Sequence, residues 1–292
     1  MTLKTKWITI LGLCALANLC LSGCASQQVN TKSSVMDYLY PKSADMQVSP
    51  TIPHLNLPLR VGVAFVPVSD SRSYANNFWS GQSYAGGLTE AKKTEILEHV
   101  ADNFRGLDFV SNIEVIPSAY LTAGGSFANL SQIKTMYGID VIALVSYDQV
   151  QFTDESVLSL SYWTIVGAYI VSGEKNDTNT LIDTVVYDIA SQSMLFRAPG
   201  TSQVSGRSTP INLAEELRAD SLKGFEQASI NMVENLKTQL AVFKQRVKEN
   251  PEQVKITRSE GYSGAGSVRL FDFMLLMGLL LGYRWLFNSA RS

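Results

Sequence analysis

Apolar and polar positions along this chain change their period several times, and each change predicts an element. From Leu57 to Val68 the residues are mostly apolar and rich in valine, interrupted by Pro67, as suits a buried strand. Ile96, Leu97, Val100 and Phe104 then fall on one helical face behind Thr89, a residue able to cap it, and a strand follows near Ile113 to Ile116. Between Ser126 and Tyr137 the apolar positions Leu130, Ile133, Met136 and Tyr137 again share a helical face, with Gly138 placed to end the helix before a strand from Val141 to Val150. Strand and helix alternate here, so parallel pairing is expected.

Beyond Val150 the period shortens to that of strands. Val157 to Val171 and Thr180 to Ile189 are β-rich and flank the polar run Gly173-Glu174-Lys175-Asn176-Asp177, which predicts an antiparallel pair around a turn. A further strand near Met194 to Ala198 returns across Ala190 to Ser193. Thr209-Pro210 opens a long helix, with proline at its first position and a stripe running from Leu217, Leu222 and Phe225 through Met232, Leu236 and Leu240 to Phe243 and Val247. The stripe reads as packing against a sheet. The fold class expected is therefore α/β: a mixed sheet with a β-α-β-α-β start, antiparallel strands after it and a long C-terminal helix.

The two ends break this pattern. Lys4 and Lys6 precede an apolar run from Trp7 to Leu21, the charged start and apolar middle of a secretory signal. From Leu270 to Phe287 nearly every residue is apolar, enough at about 1.5 Å per residue to cross a thin hydrocarbon layer. Asp272 and Arg284 lie near the ends of that segment, with Tyr283 and Trp285 at a depth that suits aromatic rings. A transmembrane helix is expected there. Residues 24–56 are rich in Ser, Gln, Thr and Pro and read as a flexible tether, within which Val35 to Tyr40 could dock; 251–267 reads as a second linker after Asn250-Pro251. The expected order is a signal peptide (1–23), tether (24–56), α/β domain (57–250), small-residue linker (251–267) and membrane tail (268–292).

Composition narrows the function further. The formal net charge of -2 and the scattered Lys and Arg provide no footprint for nucleic acid. The three cysteines, Cys14, Cys20 and Cys24, all fall in the first 24 residues, so the domain has neither a disulfide nor a thiolate metal site to draw on.

Leu21-Ser22-Gly23-Cys24 resembles the lipobox of bacterial lipoproteins, in which small residues fit the signal peptidase and the cysteine takes a diacylglycerol. The resemblance implies that Cys24 is lipidated and becomes the first mature residue, held by two or three acyl chains in membrane lipid. Ala25 and Ser26 follow it; in such lipoproteins an Asp in that place marks inner-membrane retention, so outer-membrane delivery is implied. Near the other end, Gly264-Ala265-Gly266-Ser267, the apolar segment and Arg284 as membrane stop resemble in their order the GlyGly-type sorting signal cut by rhombosortases, intramembrane proteases of the rhomboid class. Ala265 separates two glycines that such signals usually present side by side. Together the two ends resemble the rhombotarget lipoprotein family, over about 50 residues. The resemblance implies signal peptidase, lipid-modifying enzymes and a rhombosortase as processing partners. The implied location is an inner-membrane precursor facing the periplasm, moving to the outer membrane or cell surface.

Catalytic chemistry is hard to find. His54 and His99 stand in unlike settings, so no metal cluster is expected, and no cofactor motif is present. Glu174 with Asp177 could hold a cation but sit in the expected turn. Gly261-Tyr262-Ser263-Gly264-Ala265 lacks the final glycine of a nucleophile elbow and the strand that should precede it. Gly86-Gly87 and Gly124-Gly125 read as turns before helices. Asp183 and Asp188 lie an odd number of residues apart on one strand and so face opposite ways. Tyr147, Phe152, Tyr162, Trp163 and Tyr169 read as sheet packing that could also line a groove. The expectation is a non-catalytic domain that binds an unnamed envelope component or does structural work there. An uncut inner-membrane scaffold and a hydrolase with an unrecognised site are the alternatives; a deep polar pocket would favour the hydrolase.

Overall fold

A computed structural model describes residues 26–41, 51–68, 88–155, 174–209 and 211–259. The lipobox Leu21 to Cys24, the strand expected at Val157 to Val171, Tyr162, Trp163 and Tyr169, Gly86-Gly87, the run Gly264 to Ser267, the segment Leu270 to Phe287 and Arg284 lie outside the described residues.

The chain is α/β, with a mixed sheet and one long helix. Strands β3 (Leu59–Phe65), β4 (Val110–Val115) and β5 (Val141–Glu155) alternate with helices α2 (Glu90–Phe104) and α3 (Ser126–Tyr137), and β3 pairs parallel with both β4 and β5. The expected parallel unit is present. Thr89 caps α2, its side chain accepting from the Lys92 amide. Gly138 ends α3 at φ 64°, a left-handed conformation that glycine adopts without a Cβ penalty.

β5 continues into an antiparallel ribbon with β6 (Glu174–Asp188) and β7 (Ser193–Ser208), giving the order β4-β3-β5-β6-β7. The run Glu174 to Asp177, expected as a turn, is strand paired on both sides. The one buried side chain among 175–177, Asn176, is held by a hydrogen bond to Ser208 and not by apolar packing, so the run reads as polar as a turn would. β6 occupies one whole edge of β5. The other edge is shared: β3 takes 141–145, and β1 (Ser26–Lys32) pairs antiparallel with 148–154.

The stretch expected as a tether therefore carries structure. β5 runs five residues past its expected end at Val150, and β1 satisfies backbone groups that would otherwise have no partner. Helix α1 (Val35–Leu39) follows, burying Val35, Tyr38 and Leu39. Within the expected linkers, β2 (His54–Leu57) and β8 (Lys255–Arg258) form a separate parallel pair.

Helix α4 (Leu213–Glu249) crosses the ribbon and buries Leu217, Phe225, Met232, Leu236 and Phe243 of the expected stripe. It starts four residues after Thr209, which instead donates from its amide and hydroxyl to Asn212 Oδ1. Leu222 is exposed, because Gly224 and Phe225 make the sheet contact at that level. Met136 on α3 is exposed too: nine residues after the buried Phe127, it stands about two and a half turns on, facing away. Apolar residues fill both faces of the parallel half, with α2 and α4 on one side and α1 and α3 on the other. Among the described residues no helix is long and apolar enough to cross a membrane.

Candidate ligand cavity

Where α2 and the C-terminal half of α4 lie across the parallel strands, they leave a cavity of about 620 Å³. Its floor is Val61, Val63, Val141 and Ala143, whose side chains alternate onto this face. Val100, Ala101 and Phe104 of α2 form one wall, and Leu236, Leu240, Phe243 and Val247 of α4 the other. β2 and β8 roof it with Leu55, Leu57 and Ile256. The volume falls in the usual range for small-molecule sites, about 300–1,000 Å³, and the interior is aliphatic and aromatic.

Four charged side chains border it: Asp108, Lys244, Lys248 and Arg258, all solvent-exposed. Lys244 and Lys248 are one helical turn apart on α4, and Arg258 ends β8. None of the three cations has an ion-pair partner among the described residues. Lys244 Nζ lies 4.0 Å from the centroid of the Phe109 ring, a cation–π contact. Burial and then the Lys248 charge lower the pKa of Lys244, while Asp108 pulls the other way. The mouth is thus net positive on a chain that is net negative.

A second concavity, about 820 Å³, is an open depression where Asp148, Leu181 and Thr201 cross the ribbon and Ile230 and Asn231 curl round from α4. Among the described residues Asp148 is the only titratable one lining it, and its Oδ1 has no partner among them. A lone carboxylate supplies one half of a general acid–base pair.

Elsewhere the candidate residues have ordinary occupations. His54 Nε2 lies 3.1 Å from Thr257 Oγ1, between β2 and β8, and His99 is exposed on α2. Among the described residues no three His, Cys, Asp or Glu side chains are grouped to hold a metal. Asp177 accepts from Ser205 Oγ at 2.6 Å and pairs with Lys175 at 3.2 Å, and these two contacts hold its carboxyl below the usual range. Asp177, expected in a turn, is a residue of the strand β6. Asp183 accepts from Arg197 Nε at 2.8 Å, whereas Asp188 is buried and accepts from the Ser191 amide at 3.1 Å. Gly124, at φ 66°, and Gly125 form the turn before α3. Tyr147 packs edge-on between Phe65 and Phe225, and Phe152 is exposed.

Sequence reasoning placed the cavity wall residues in a core stripe and missed the cavity, since its lining comes from nine elements scattered over 55–258. One signal was present: Lys244 and Lys248, four apart, flank the apolar stripe at the C-terminal end of the long helix. The fold and site together define an α/β domain with an apolar, cation-rimmed cavity. No protein-family model and no curated protein matches the chain.

Proposed function

We propose that this chain is a membrane-attached lipoprotein of the bacterial envelope whose α/β domain binds an apolar ligand without transforming it. The observation that carries the binding role is the cavity between α2, α4 and the sheet: its interior is apolar and its charges are confined to the rim. A hydrolase would be favoured by a deep polar pocket with paired titratable groups inside.

Attachment rests on the lipobox-like Leu21-Ser22-Gly23-Cys24 and on the apolar segment from Leu270. A lipid on Cys24 would leave the chain two residues ahead of Ser26, the first residue of β1, so the domain would sit close to its anchor. A rhombosortase-type cut within Gly264 to Ser267 falls beyond Arg258, the last residue of β8, and the folded part stays whole on the N-terminal side. Signal peptidase, the lipid-modifying enzymes and that protease are the processing partners, and the outer membrane or cell surface is the destination.

Mass spectrometry of the protein recovered from its own membrane tests the reading. The expected product begins at an acylated Cys24, ends between 264 and 267, and releases an apolar small molecule into organic solvent. An unmodified Cys24 overturns the attachment, and a C-terminus at Ser292 makes the protein an uncut scaffold. A cavity that yields and takes up no apolar compound overturns the binding role.

A further inference from the structure

The reading of the cavity as a ligand site leaves its ligand unnamed, and the mouth supplies the missing chemistry. Three cations and one carboxylate border an otherwise apolar space. An apolar ligand without charge would leave three cations, Lys244, Lys248 and Arg258, facing the single carboxylate of Asp108. A cationic amphiphile would meet three like charges. An anionic group at the end of an apolar chain satisfies both parts of the site. Lys244 gains most, since burial and Lys248 both disfavour its charged form and an anion beside it restores that form.

Two other occupants belong to the chain itself, and the geometry removes them. Acyl groups on Cys24 would start two residues from Ser26, which pairs with Asp154; the cavity floor is at Val141 and Ala143, eleven residues back along β5, or about 36 Å at ~3.3 Å per residue. The apolar segment 270–287 as a helix would be about 27 Å long and ~10 Å across, far more than 620 Å³ can hold. The border of three cations and one carboxylate suits one anionic head on one chain.

We propose that the cavity binds a long-chain fatty acid, its hydrocarbon lying between α2, α4 and the sheet and its carboxylate at the mouth against Lys244, Lys248 and Arg258. This rests on the binding role proposed above and goes beyond it in naming the ligand class. No bond is made or broken. Lys244 and Lys248 act as a pair on one turn of α4, and Arg258 reaches the mouth only because β8 is held in register on β2, Arg258 opposite Leu57.

The test uses the full-length protein in phosphatidylcholine nanodiscs and four photoactivatable probes, each with a diazirine at the far end of a 16-carbon chain. One ends in a carboxylate, one in an alcohol and one in a trimethylammonium group; the fourth carries its chain on phosphatidylglycerol. Peptides labelled after illumination are mapped by mass spectrometry, which separates the cavity from probe dissolved in the bilayer. The carboxylate is expected to label saturably the α2 and α4 segments around Val100 to Phe104 and Leu236 to Val247, about tenfold more than the alcohol or ammonium probe. In the Lys244→Glu, Lys248→Glu double variant that preference inverts in favour of the ammonium probe, a result that misfolding would not produce. Equal labelling by carboxylate and alcohol, or preference for the phosphatidylglycerol probe, overturns the fatty-acid assignment and leaves the binding role standing. Absence of label in α2 and α4 from every probe overturns both.

Discussion

Gly200 on β7 shows how closely the long helix approaches the sheet. A Cβ at that position would stand 2.2 Å from the Ala228 carbonyl oxygen and 2.4 Å from the Met232 amide nitrogen, both helix backbone, which has nowhere to go. Gly200→Ala is therefore expected to destabilise the domain by about 3 kcal/mol, the upper end for overpacking, seen as a lower urea midpoint at unchanged slope. A second residue fixes the alkaline limit. Tyr187, edge-on to Phe127 with ring centroids 5.7 Å apart, has its pKa pushed up to about 12, chiefly by burial and then by Tyr40. In the unfolded chain the phenol ionises near its ordinary 10.0, so above that pH unfolding releases protons. Stability is whole below about pH 10 and is lost progressively as the pH climbs to about 12. Tyr187→Phe should lose less stability across that window in chemical denaturation, although Tyr38 and Tyr147, also raised by burial, keep part of the slope.

At the scale of elements, the helix α4 is held in two different ways along its length. Its C-terminal half packs with Leu236 and Phe243. Its N-terminal half meets the ribbon through side-chain amides: Gln149 Nε2 donates to Thr180 Oγ1 at 2.8 Å and to the Ser221 carbonyl at 3.1 Å, while Gln151 Nε2 donates to Thr178 Oγ1 at 3.1 Å and to the Leu217 carbonyl at 2.8 Å. Both glutamines are buried, so Gln149→Ala or Gln151→Ala strands the partners, at a cost of about 1–3 kcal/mol each, and speeds amide exchange in the first half of α4. This interface also explains which elements were legible in the sequence. The parallel unit and α3 with Gly138 bury apolar side chains at regular spacing, and periodicity found them. β1, the outer parts of β6 and β7, and the run Glu174 to Asp177 contribute Thr31, Asn176, Thr178 and Ser208 to buried positions, all polar. Their burial is sustained by hydrogen bonds, which leave no hydrophobic period to read. The cavity was illegible for a different reason: an apolar wall and an apolar core have the same composition, and only the separation between helices tells them apart.

For the whole molecule, β5 acts as a ruler. Ser26 is fixed against Asp154 at one end of it, and Val141, thirteen residues or about 43 Å away at ~3.3 Å per residue, lines the same cavity as Ile256 and Arg258 of β8. From Arg258 to the apolar segment at Leu270 the chain has twelve steps, about 40–43 Å fully stretched at ~3.3–3.6 Å each. Were both ends in one bilayer, as proposed, that reach would barely match the length of β5, and an upright ribbon would leave the connection no slack. Severing the tail would free one end while the lipid at the other stays put. If the proposed lipid on Cys24 were then its sole attachment, the leash would run from the Ser26 end of β5, and the cavity at the opposite end of that strand would be the part of the domain least constrained by it.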